Sequence, residues 1–261
     1  MDLDLSGRHA LVCGASQGIG RAAAFALAEH GADVTVLARS RELLDALAAT
    51  LPRRDGQHHD VLVVDLRDRA AVRERVAALA AARPVAILVN NTGGPPGGPA
   101  FKAGEQEFLD AFSAHLLAAQ ALVQSLLPGM RAARYGRIVN VISTSVKEPI
   151  RNLGVSNTVR GAMASWAKTL AAELGPDGIT VNNVLPGYTK TQRLEQILAD
   201  RSAATGKSRE EVAAAMLATV PAGRFAEPEE IASVIAFLAT PAASYVNGIN
   251  VPVDGGRTLS L

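Results

Sequence analysis

The stretch Gly14-Ala15-Ser16-Gln17-Gly18-Ile19-Gly20 directly follows an apolar run, His9–Cys13, and precedes an alanine-rich segment. The apolar run predicts a buried strand, and the alanine-rich segment predicts a helix. Glycines between a strand and a helix allow a tight turn and let a ligand approach the backbone closely. The N–H groups at the start of a helix bind anions such as a pyrophosphate. The stretch therefore predicts a phosphate-binding loop, although glycines at this spacing also mark ordinary turns.

The alternation of strand and helix that surrounds this loop continues along the whole chain. The strand candidates are rich in Val, Ile and Leu and alternate little, as in strands that helices cover on both faces. They are His9–Cys13, Asp33–Ala38, Val61–Asp65, Val85–Asn90, Gly136–Ile142, Thr180–Leu185 and Ile249–Val253. The helix candidates are Gly20–His30, Arg41–Leu51, Asp68–Ala82, Glu105–Met130, Ser156–Leu174 and Pro228–Ala239. This order predicts a three-layer α/β fold with a doubly wound parallel sheet, the Rossmann fold.

The chain shows no break in composition, so residues 1–261 are predicted to form a single domain. Residues 189–220 fall outside the regular alternation and are predicted to be helical, with a polar interruption at Gly206-Lys207-Ser208. An insertion before the last helix and strand lies at the carboxyl edge of the sheet, where it can cover a substrate. The alternative is a helical decoration that contacts no ligand.

The composition limits the classes of partner. Lys and Arg number 26 against 25 Asp and Glu, so the charge gives no reason to expect nucleic acid or an anionic membrane. No apolar run is expected to reach the roughly 18–20 residues that span a bilayer, and Met1–Leu5 does not resemble a secretory signal. Cys13 is expected to be a small buried residue. We therefore expect a cytoplasmic protein with a small-molecule ligand, and no metal site is predicted.

Other motifs occur in a fixed order after the loop. Asn90-Asn91-Thr92-Gly93 follows the fourth predicted strand, Pro186-Gly187 follows the sixth, and Val253-Asp254-Gly255-Gly256 follows the seventh. Together with Gly14–Gly20 they resemble the short-chain dehydrogenase/reductase family, especially members similar to 3-oxoacyl-carrier-protein reductase, over nearly the whole chain. The resemblance implies hydride transfer between a nicotinamide dinucleotide and a carbonyl/alcohol pair. It also implies a homo-oligomer, a tetramer or dimer, assembled through the two longest helices and the C-terminal edge.

The resemblance further implies which residues hold the dinucleotide. Those expected around the pyrophosphate are Gly14, Ser16, Gln17, Gly18, Ile19 and Gly20. Those expected at the adenine and its ribose are Asp65, Leu66, Asn91 and Gly93, and those expected beside the nicotinamide are Pro186, Gly187 and Thr189. For Asp65 the alternative is a carboxylate that caps the following helix.

Arg39 bears on which dinucleotide binds. A pocket selective for NAD(H) places a carboxylate at the end of the second strand, on the ribose 2′-hydroxyl. Here the strand ends Leu37-Ala38-Arg39-Ser40-Arg41, with no carboxylate before Glu42. Because a guanidinium suits a phosphate, we predict NADP(H) in preference to NAD(H). The alternative is a solvated arginine at the start of a helix.

The catalytic motif of the family is altered in this chain. The resemblance implies a serine that polarises the carbonyl, a Tyr-x-x-x-Lys pair that transfers the proton and orients the nicotinamide ribose, and an asparagine that helps hold a relay water. Ser143 matches the serine, but the pair reads Ser156-Asn157-Thr158-Val159-Arg160, and His115 occupies the asparagine position. No tyrosine occurs between Tyr135 and Tyr188. The sequence therefore predicts an intact cofactor pocket with an atypical active site.

These replacements change the proton chemistry. Ser156 and Arg160 are four residues apart and should share one face of a helix. Arg160 can donate hydrogen bonds to ribose hydroxyls, but a pKa above roughly 12 prevents ordinary proton donation. His115 is expected to titrate in the useful range and could restore proton transfer through water, or it could simply fill a gap between helices. Tyr188 could supply a phenol or pack over the cofactor.

Two classes of function stay open at this point. One is an NADP(H)-dependent oxidoreductase of carbonyl/alcohol pairs with a remodelled proton relay. The other is a homologue that binds the dinucleotide without ordinary reductase activity, as a binding or regulatory protein or as a non-redox lyase or isomerase. The Ser156/Arg160 pair is the feature that keeps the second class open.

Overall fold

The computed structural model describes residues 1–54 and 56–260, and within them seven strands form one parallel sheet. The strands are β1 His9–Cys13, β2 Asp33–Ala38, β3 His59–Val63, β4 Ile87–Asn90, β5 Gly136–Val141, β6 Ile179–Pro186 and β7 Asn250–Val253. Their order across the sheet is β3-β2-β1-β4-β5-β6-β7, with every neighbouring pair parallel. The predicted single α/β domain with a doubly wound parallel sheet is confirmed.

Helices cover both faces of this sheet. They are α1 Gly18–Glu29, α2 Arg41–Thr50, α3 Arg69–Ala82, α4 Glu105–Phe112, α5 Ala118–Ala133, α6 Gly154–Leu174, α7 Gln192–Thr205, α8 Arg209–Leu217 and α9 Pro228–Ala239. Buried residues of α1, α2 and α9 form one aliphatic core with the sheet, and those of α3, α5 and α6 form the other. Both faces of each central strand are therefore buried, which explains why these strands read as continuous apolar runs.

The strand order places a crevice at one edge of the sheet. Successive strands run outward from β1 in one direction as far as β3, and β4 then begins the run in the other direction. Ligands of doubly wound sheets bind outside the carboxyl ends of the strands at such a reversal. The Gly14–Gly20 loop after β1 and the Asn90–Gly93 motif after β4 lie on either side of it.

Several element boundaries differ from the sequence-based expectation by one or two residues, and two differences bear on the site. β3 begins and ends two residues early, because it pairs with β2 from Val34↔His59 to Ala38↔Val63. Asp65 consequently lies in the loop beyond the strand. The helix predicted over Glu105–Met130 is interrupted by a π-helical turn at Ser113–Leu117, which separates α4 from α5. Such turns are rare and occur often at functional sites.

Residues 189–220 contain α7 and α8. The two helices are joined by Gly206-Lys207-Ser208, in which Gly206 adopts a left-handed φ of 70°. The Ser208 hydroxyl accepts from the N–H of Glu211 and so caps α8. Buried side chains of α7 and α8 pack together with Tyr188 and Phe225.

The stretch Glu105–Ala133 bears on the membrane expectation. It is 29 residues long and, by length and composition, apolar enough to cross a membrane, so the expectation that no segment would qualify is wrong on those criteria. The core helix of a globular domain passes the same criteria, and 44% of the apolar window is buried here. Much of the apolar content of α5 belongs to the core that it shares with α3, α6 and the sheet.

Candidate active site

The Gly14–Gly20 loop is shaped by contacts that exclude side chains. Gly14 has a φ of 59°, and a Cβ there would lie 2.5 Å from the carbonyl oxygen of Asn91. A Cβ at Gly20 would overlap the carbonyl oxygen of Gly14. The Asn91 side chain donates to the carbonyls of Cys13 (3.4 Å) and Gly14 (3.2 Å) and so fixes the loop against the end of β4. A tight glycine turn that leads directly into the N–H groups at the start of α1 fits a pyrophosphate.

α7 approaches the same loop from the other side. A Cβ at Gly18 would lie 3.1 Å from the methyl group of Thr191, which immediately precedes α7. A cavity of about 420 Å³ lies between them, with Arg21, Lys190 and Gln192 also in its wall. The loop and the first turn of α7 therefore form two walls of one polar cavity.

The end of the crevice beyond β2 and β3 brings Arg39 near Asp65. The guanidinium of Arg67 donates to the Asp65 carboxylate at 2.6 Å, and this hydrogen bond is the main reason that the pKa of Asp65 is lowered, with a smaller contribution from Arg39. Asp68, and not Asp65, caps α3 by accepting from the N–H of Ala71. Among residues 1–54 and 56–260, no carboxylate lies within 4.0 Å of the Arg39 guanidinium.

The Pro186-Gly187 turn contacts the C-terminal motif. A Cβ at Gly187 would lie 2.6 Å from the Cα of Asp254, so the close packing of the two motifs requires a glycine at position 187. Thr189 is buried, and its hydroxyl donates to the carbonyl of Gly187 at 3.2 Å. The Tyr188 ring packs edge-on against Phe225, with centroids 6.2 Å apart. Tyr188 therefore has a packing role in this structure.

Ser143 lies just beyond the carboxyl end of β5. Its oxygen accepts from the N–H of Ser145 at 3.1 Å. That bond fixes the hydroxyl oxygen and leaves its proton to be donated outward. Ser156 lies on the first turn of α6, four residues before Arg160.

Arg160 is buried beneath the ends of β4 and β5, and its residue surface is only 7% exposed. The guanidinium donates to the carbonyl of Val141 at 3.1 Å and to that of Thr92 at 3.4 Å. Burial, and next the charge of Arg193, lower the pKa of Arg160 to about 10. The side chain is still charged at neutral pH. Two of its N–H groups, which we expected to donate to a ribose, donate instead to main-chain carbonyls.

His115 lies in the π-helical turn between α4 and α5 and is buried. Its Nδ1 shares a short hydrogen bond with the hydroxyl of Thr92. Burial, and next the charge of Arg160, lower the pKa of His115 to about 3. The expectation that His115 titrates near neutral pH is therefore wrong. Burial removes the water that would solvate the charged ring, and the positive charge of Arg160 opposes protonation.

A ladder of four amides crosses the sheet beneath these residues. Asn90 donates to Asn140, Asn140 to Asn183 and Asn183 to Asn250, each at 2.8 Å. The parallel register that places these residues side by side makes the ladder possible. At its β4 end, the Oδ1 atom of Asn90 is buried and has no hydrogen-bond partner among the described residues.

A small cavity of about 10 Å³ lies beside the end of the ladder. Asn90, Thr92, His115 and Arg160 line it on the polar side. A polar cavity of this volume accommodates about one water molecule. Sequence reasoning did not find Asn90 or the pairing of Thr92 with His115, because neither contact has a sequence signal beyond the Asn90–Gly93 motif itself.

Comparisons with known proteins agree with this geometry. The family described as enoyl-(acyl carrier protein) reductase matches residues 14–258. Gluconate 5-dehydrogenase of Gluconobacter oxydans is 33% identical, covering 98% of this chain and 97% of the relative. A 3-oxoacyl-[acyl-carrier-protein] reductase of Pseudomonas aeruginosa is 34% identical, covering 99% and 100%. The structure of L-sorbose reductase from Gluconobacter frateurii, complexed with NADPH and L-sorbose, matches with a TM-score of 0.92 and 30% identity over the full length of both chains.

Proposed function

The chain belongs to the short-chain dehydrogenase/reductase family, and on that premise we propose that it is an NADP(H)-dependent oxidoreductase of carbonyl/alcohol pairs with an atypical proton relay. The observation that carries this proposal is the close-packed glycine turn between β1 and α1, in which Gly14 and Gly20 pack against each other and against Asn91. Its relatives include gluconate 5-dehydrogenase and a reductase complexed with NADPH, which supports a dinucleotide-dependent reductase.

NADP(H) is proposed in preference to NAD(H) because of Arg39. This side chain follows β2, where a 2′-phosphate on the adenosine ribose would lie, and no described carboxylate pairs with it. A guanidinium binds a phosphate through charge-assisted hydrogen bonds. Asp65, Leu66, Asn91 and Gly93 complete the adenosine side of the proposed pocket, and the Gly14–Gly20 loop holds the pyrophosphate.

At the nicotinamide side, the proposed pocket consists of Pro186, Gly187, Thr189 and Arg160. The cofactor supplies a hydride when it is bound. Ser143 donates a hydrogen bond to the substrate carbonyl, without giving up its proton, and stabilises the negative charge that develops there, because its oxygen is already held by the N–H of Ser145. The buried charge of Arg160 adds to this stabilisation from below.

The proton is proposed to reach the substrate oxygen through the Ser156 hydroxyl. Ser156 and Arg160 are spaced to share one face of α6, so Arg160 favours the partial negative charge that Ser156 carries as it gives up its proton. The proton that Ser156 gives up would be replaced from bulk solvent through a chain of waters, one of them in the cavity lined by Asn90, His115 and Arg160. His115 acts here as a neutral hydrogen-bonding group that orients the water.

A specific observation favours the alternative of a dinucleotide-binding homologue without ordinary reductase activity. Arg160, with a pKa of about 10, and His115, with a pKa of about 3, both hold one protonation state near neutral pH. Neither matches the value near 7 that is best for a general acid or base. If Ser156 cannot transfer a proton, the site binds the cofactor but does not turn over.

One set of measurements separates the two functions. Purified protein is titrated with NADPH and NADH by fluorescence, and loss of absorbance from the reduced cofactor is then followed with polyol ketones, keto acids and 3-oxoacyl thioesters. We expect NADPH to bind more tightly than NADH and at least one carbonyl class to be reduced. Tight NADPH binding with no turnover, together with new activity in the double variant Ser156→Tyr/Arg160→Lys, would instead establish the alternative.

The proposal extends to assembly, location and the role of residues 189–220. Exposed apolar side chains lie on two separate surfaces: Leu109 and Leu117 on α4 and the π-helical turn, and Tyr245 and Ile249 beside β7. Two such surfaces support a homotetramer built on both, or a dimer built on one. Sedimentation equilibrium of the wild type and of Leu109→Asp and Tyr245→Asp measures the oligomeric state and tests which surface forms the contact.

We also propose a cytoplasmic location. For α7 and α8 we propose a role in covering the substrate.

A further inference from the structure

Three arginines from different elements flank the carboxyl ends of β4, β5 and β6. Arg160 on α6 contacts the carbonyls of Thr92 and Val141. Arg193 on the first turn of α7 donates to the carbonyl of Pro95 at 2.9 Å. Arg257, beyond β7, lies 4.7 Å from the centre of the Tyr188 ring.

None of the three pairs with a carboxylate. Within residues 1–54 and 56–260, every ion pair closer than 4.0 Å involves other side chains. The Nε atom of Arg257 is buried and has no acceptor among the residues described. Arg160 is buried, with only 7% of its surface exposed, and its hydrogen-bond partners are main-chain carbonyls.

The acidic side chains nearby have other roles. Glu148 accepts the N–H groups of Leu259 and Ser260 at 2.7 Å each. Asp254 accepts the N–H groups of Gly256 and Thr258. Glu195, two residues after Arg193 on α7, lines the outer cavity beside Lys190. The nearby carboxylates are therefore engaged by main-chain N–H groups or lie in the outer cavity, and none of them forms an ion pair with the three arginines.

A buried cation is costly unless it is hydrogen-bonded or paired, and Arg160 meets this need through two main-chain carbonyls. Arg193 is exposed, and a single carbonyl of the loop after β4 holds its guanidinium. A carbonyl is a weaker partner for a guanidinium than a carboxylate, which accepts two parallel charge-assisted bonds. Arg193 can therefore exchange Pro95 for a ligand carboxylate without leaving a buried charge unpaired.

We propose that the substrate of this site is an anion, a keto acid or hydroxy acid whose carboxylate binds Arg193. The inference rests on the proposed function and narrows its substrate class. Arg160 and Arg257 contribute a positive field that favours anionic ligands over cationic ones. Arg193 is thus a specificity-determining residue and takes no part in hydride or proton transfer.

The test uses two carbonyl substrates that differ at one group. 5-Keto-D-gluconate and L-sorbose share their ketone and hydroxyl stereochemistry, and the first has a carboxylate where the second has a hydroxymethyl group. With NADPH and full-length protein, we expect kcat/KM to be higher for 5-keto-D-gluconate. Arg193→Gln should raise its KM roughly ten- to hundredfold, the usual value of a hydrogen bond to a charged group. The same substitution should leave kcat/KM for L-sorbose and the Kd of NADPH unchanged.

Two further variants distinguish the effect of the Arg193 charge from the effect of its hydrogen bond to Pro95. Arg193→Lys keeps the charge and should retain most of the preference for the acid. Arg201→Gln removes a cation further along α7 and should change nothing. Equal losses for both substrates in Arg193→Gln, or a weaker NADPH Kd, would overturn the inference, because Arg193 would then hold the loop or a cofactor phosphate.

A binding measurement keeps this result distinct from failure of the proposed function. Calorimetry measures 5-keto-D-gluconate and L-sorbose binding to the NADPH complex, whether or not turnover occurs. Binding of the acid alone, lost in Arg193→Gln, supports the inference even if no carbonyl is reduced. Reduction of L-sorbose as efficient as that of the acid overturns the inference and leaves the reductase proposal standing, and binding of neither compound also overturns it.

Discussion

The two halves of the crevice achieve their shapes by different means. On the β1–β3 side, the Gly14–Gly20 loop is held by backbone packing so close that a Cβ at Gly14 would lie 2.5 Å from a main-chain oxygen. On the β4–β6 side, the shape depends on side chains, above all Arg160 and His115, which reach main-chain and hydroxyl groups of distant segments. In the first half, Gly14 and Gly20 leave no room for a Cβ atom. In the second half, single side chains can be exchanged without moving the backbone.

We propose that this difference accounts for the departures from the family pattern that the sequence predicts at Ser156, Arg160 and His115. A change at Gly14 or Gly20 would disturb the backbone itself, so packing constrains these positions in the half of the crevice that we propose binds the cofactor. In the other half, Arg160 fills its position by donating to two carbonyls, and His115 fills its position by pairing with Thr92. Polar groups of different size satisfy the same buried surroundings as long as each finds a partner.

Breaking the cofactor half should have the largest effect. Gly14→Ala introduces a Cβ at a φ of 59° that overlaps Asn91. Backbone strain of this kind costs about 1–3 kcal/mol, and the overlap displaces the loop as well. We expect NADPH binding, measured by fluorescence titration, to be abolished and the midpoint of thermal unfolding to fall.

Gly161→Ala is the matched control, because a Cβ there meets no atom within 4 Å. Alanine is favoured over glycine inside a helix by about 1 kcal/mol, so this variant should bind NADPH normally and unfold no earlier. Wild-type NADPH affinity in Gly14→Ala would show that the loop is not the cradle that we infer.

Breaking the catalytic half should leave the cofactor bound. Ser143→Ala removes the hydroxyl donor just beyond β5 without touching the Gly14–Gly20 loop. If the enzyme reduces a carbonyl, kcat should fall roughly 100- to 1,000-fold, as on loss of one oxyanion donor, with an unchanged Kd for NADPH. Steady-state kinetics and fluorescence titration on the same preparation measure both. A kcat close to that of the wild type would remove Ser143 from the mechanism.

The same contrast decides how much the sequence could predict. Apolar strands and glycine positions are local signals, and they predicted the doubly wound sheet and the loop after β1. The partners of Arg160 lie 19 and 68 residues away, and the amide ladder depends on the register of four strands. Local sequence carries no signal for such contacts, so the buried state of Arg160 and the low pKa of His115 could be found only in the folded structure.

The cofactor half can be sharpened by asking which dinucleotide it selects. Arg39→Ala removes the guanidinium that follows β2, so the NADPH Kd should rise roughly tenfold to a hundredfold, the value of a charge-assisted contact. NADH lacks the phosphate, and its Kd should not change. Arg41→Ala, two residues on, breaks only an exposed pair with Asp45 and serves as the control. Equal weakening of NADPH and NADH in Arg39→Ala would contradict a role in phosphate recognition.

The catalytic half can be sharpened through the pH dependence of its stability, which is the smallest effect near neutral pH. Burial lowers the pKa of His115 from 6.5 to about 3, so below pH 6.5 the unfolded chain binds a proton that the folded chain does not. The free energy of unfolding should therefore decrease as the pH is lowered from about 6.5 to about 3, by about 1.4 kcal/mol per pH unit for this histidine. Urea denaturation should show a shallower fall in His115→Gln than in the wild type.

His9 provides the matched comparison at the opposite edge of the sheet. Burial lowers its pKa to about 4, so His9→Gln should remove a similar part of the acid destabilisation. Only His115 lies beside the proposed site, yet its ring stays neutral above its low pKa, so kcat/KM of the wild type should show no step from this histidine between pH 5 and 8. A step in that range that disappears in His115→Gln would mean that the ring is solvated during turnover, and the two halves would then differ less than their packing indicates.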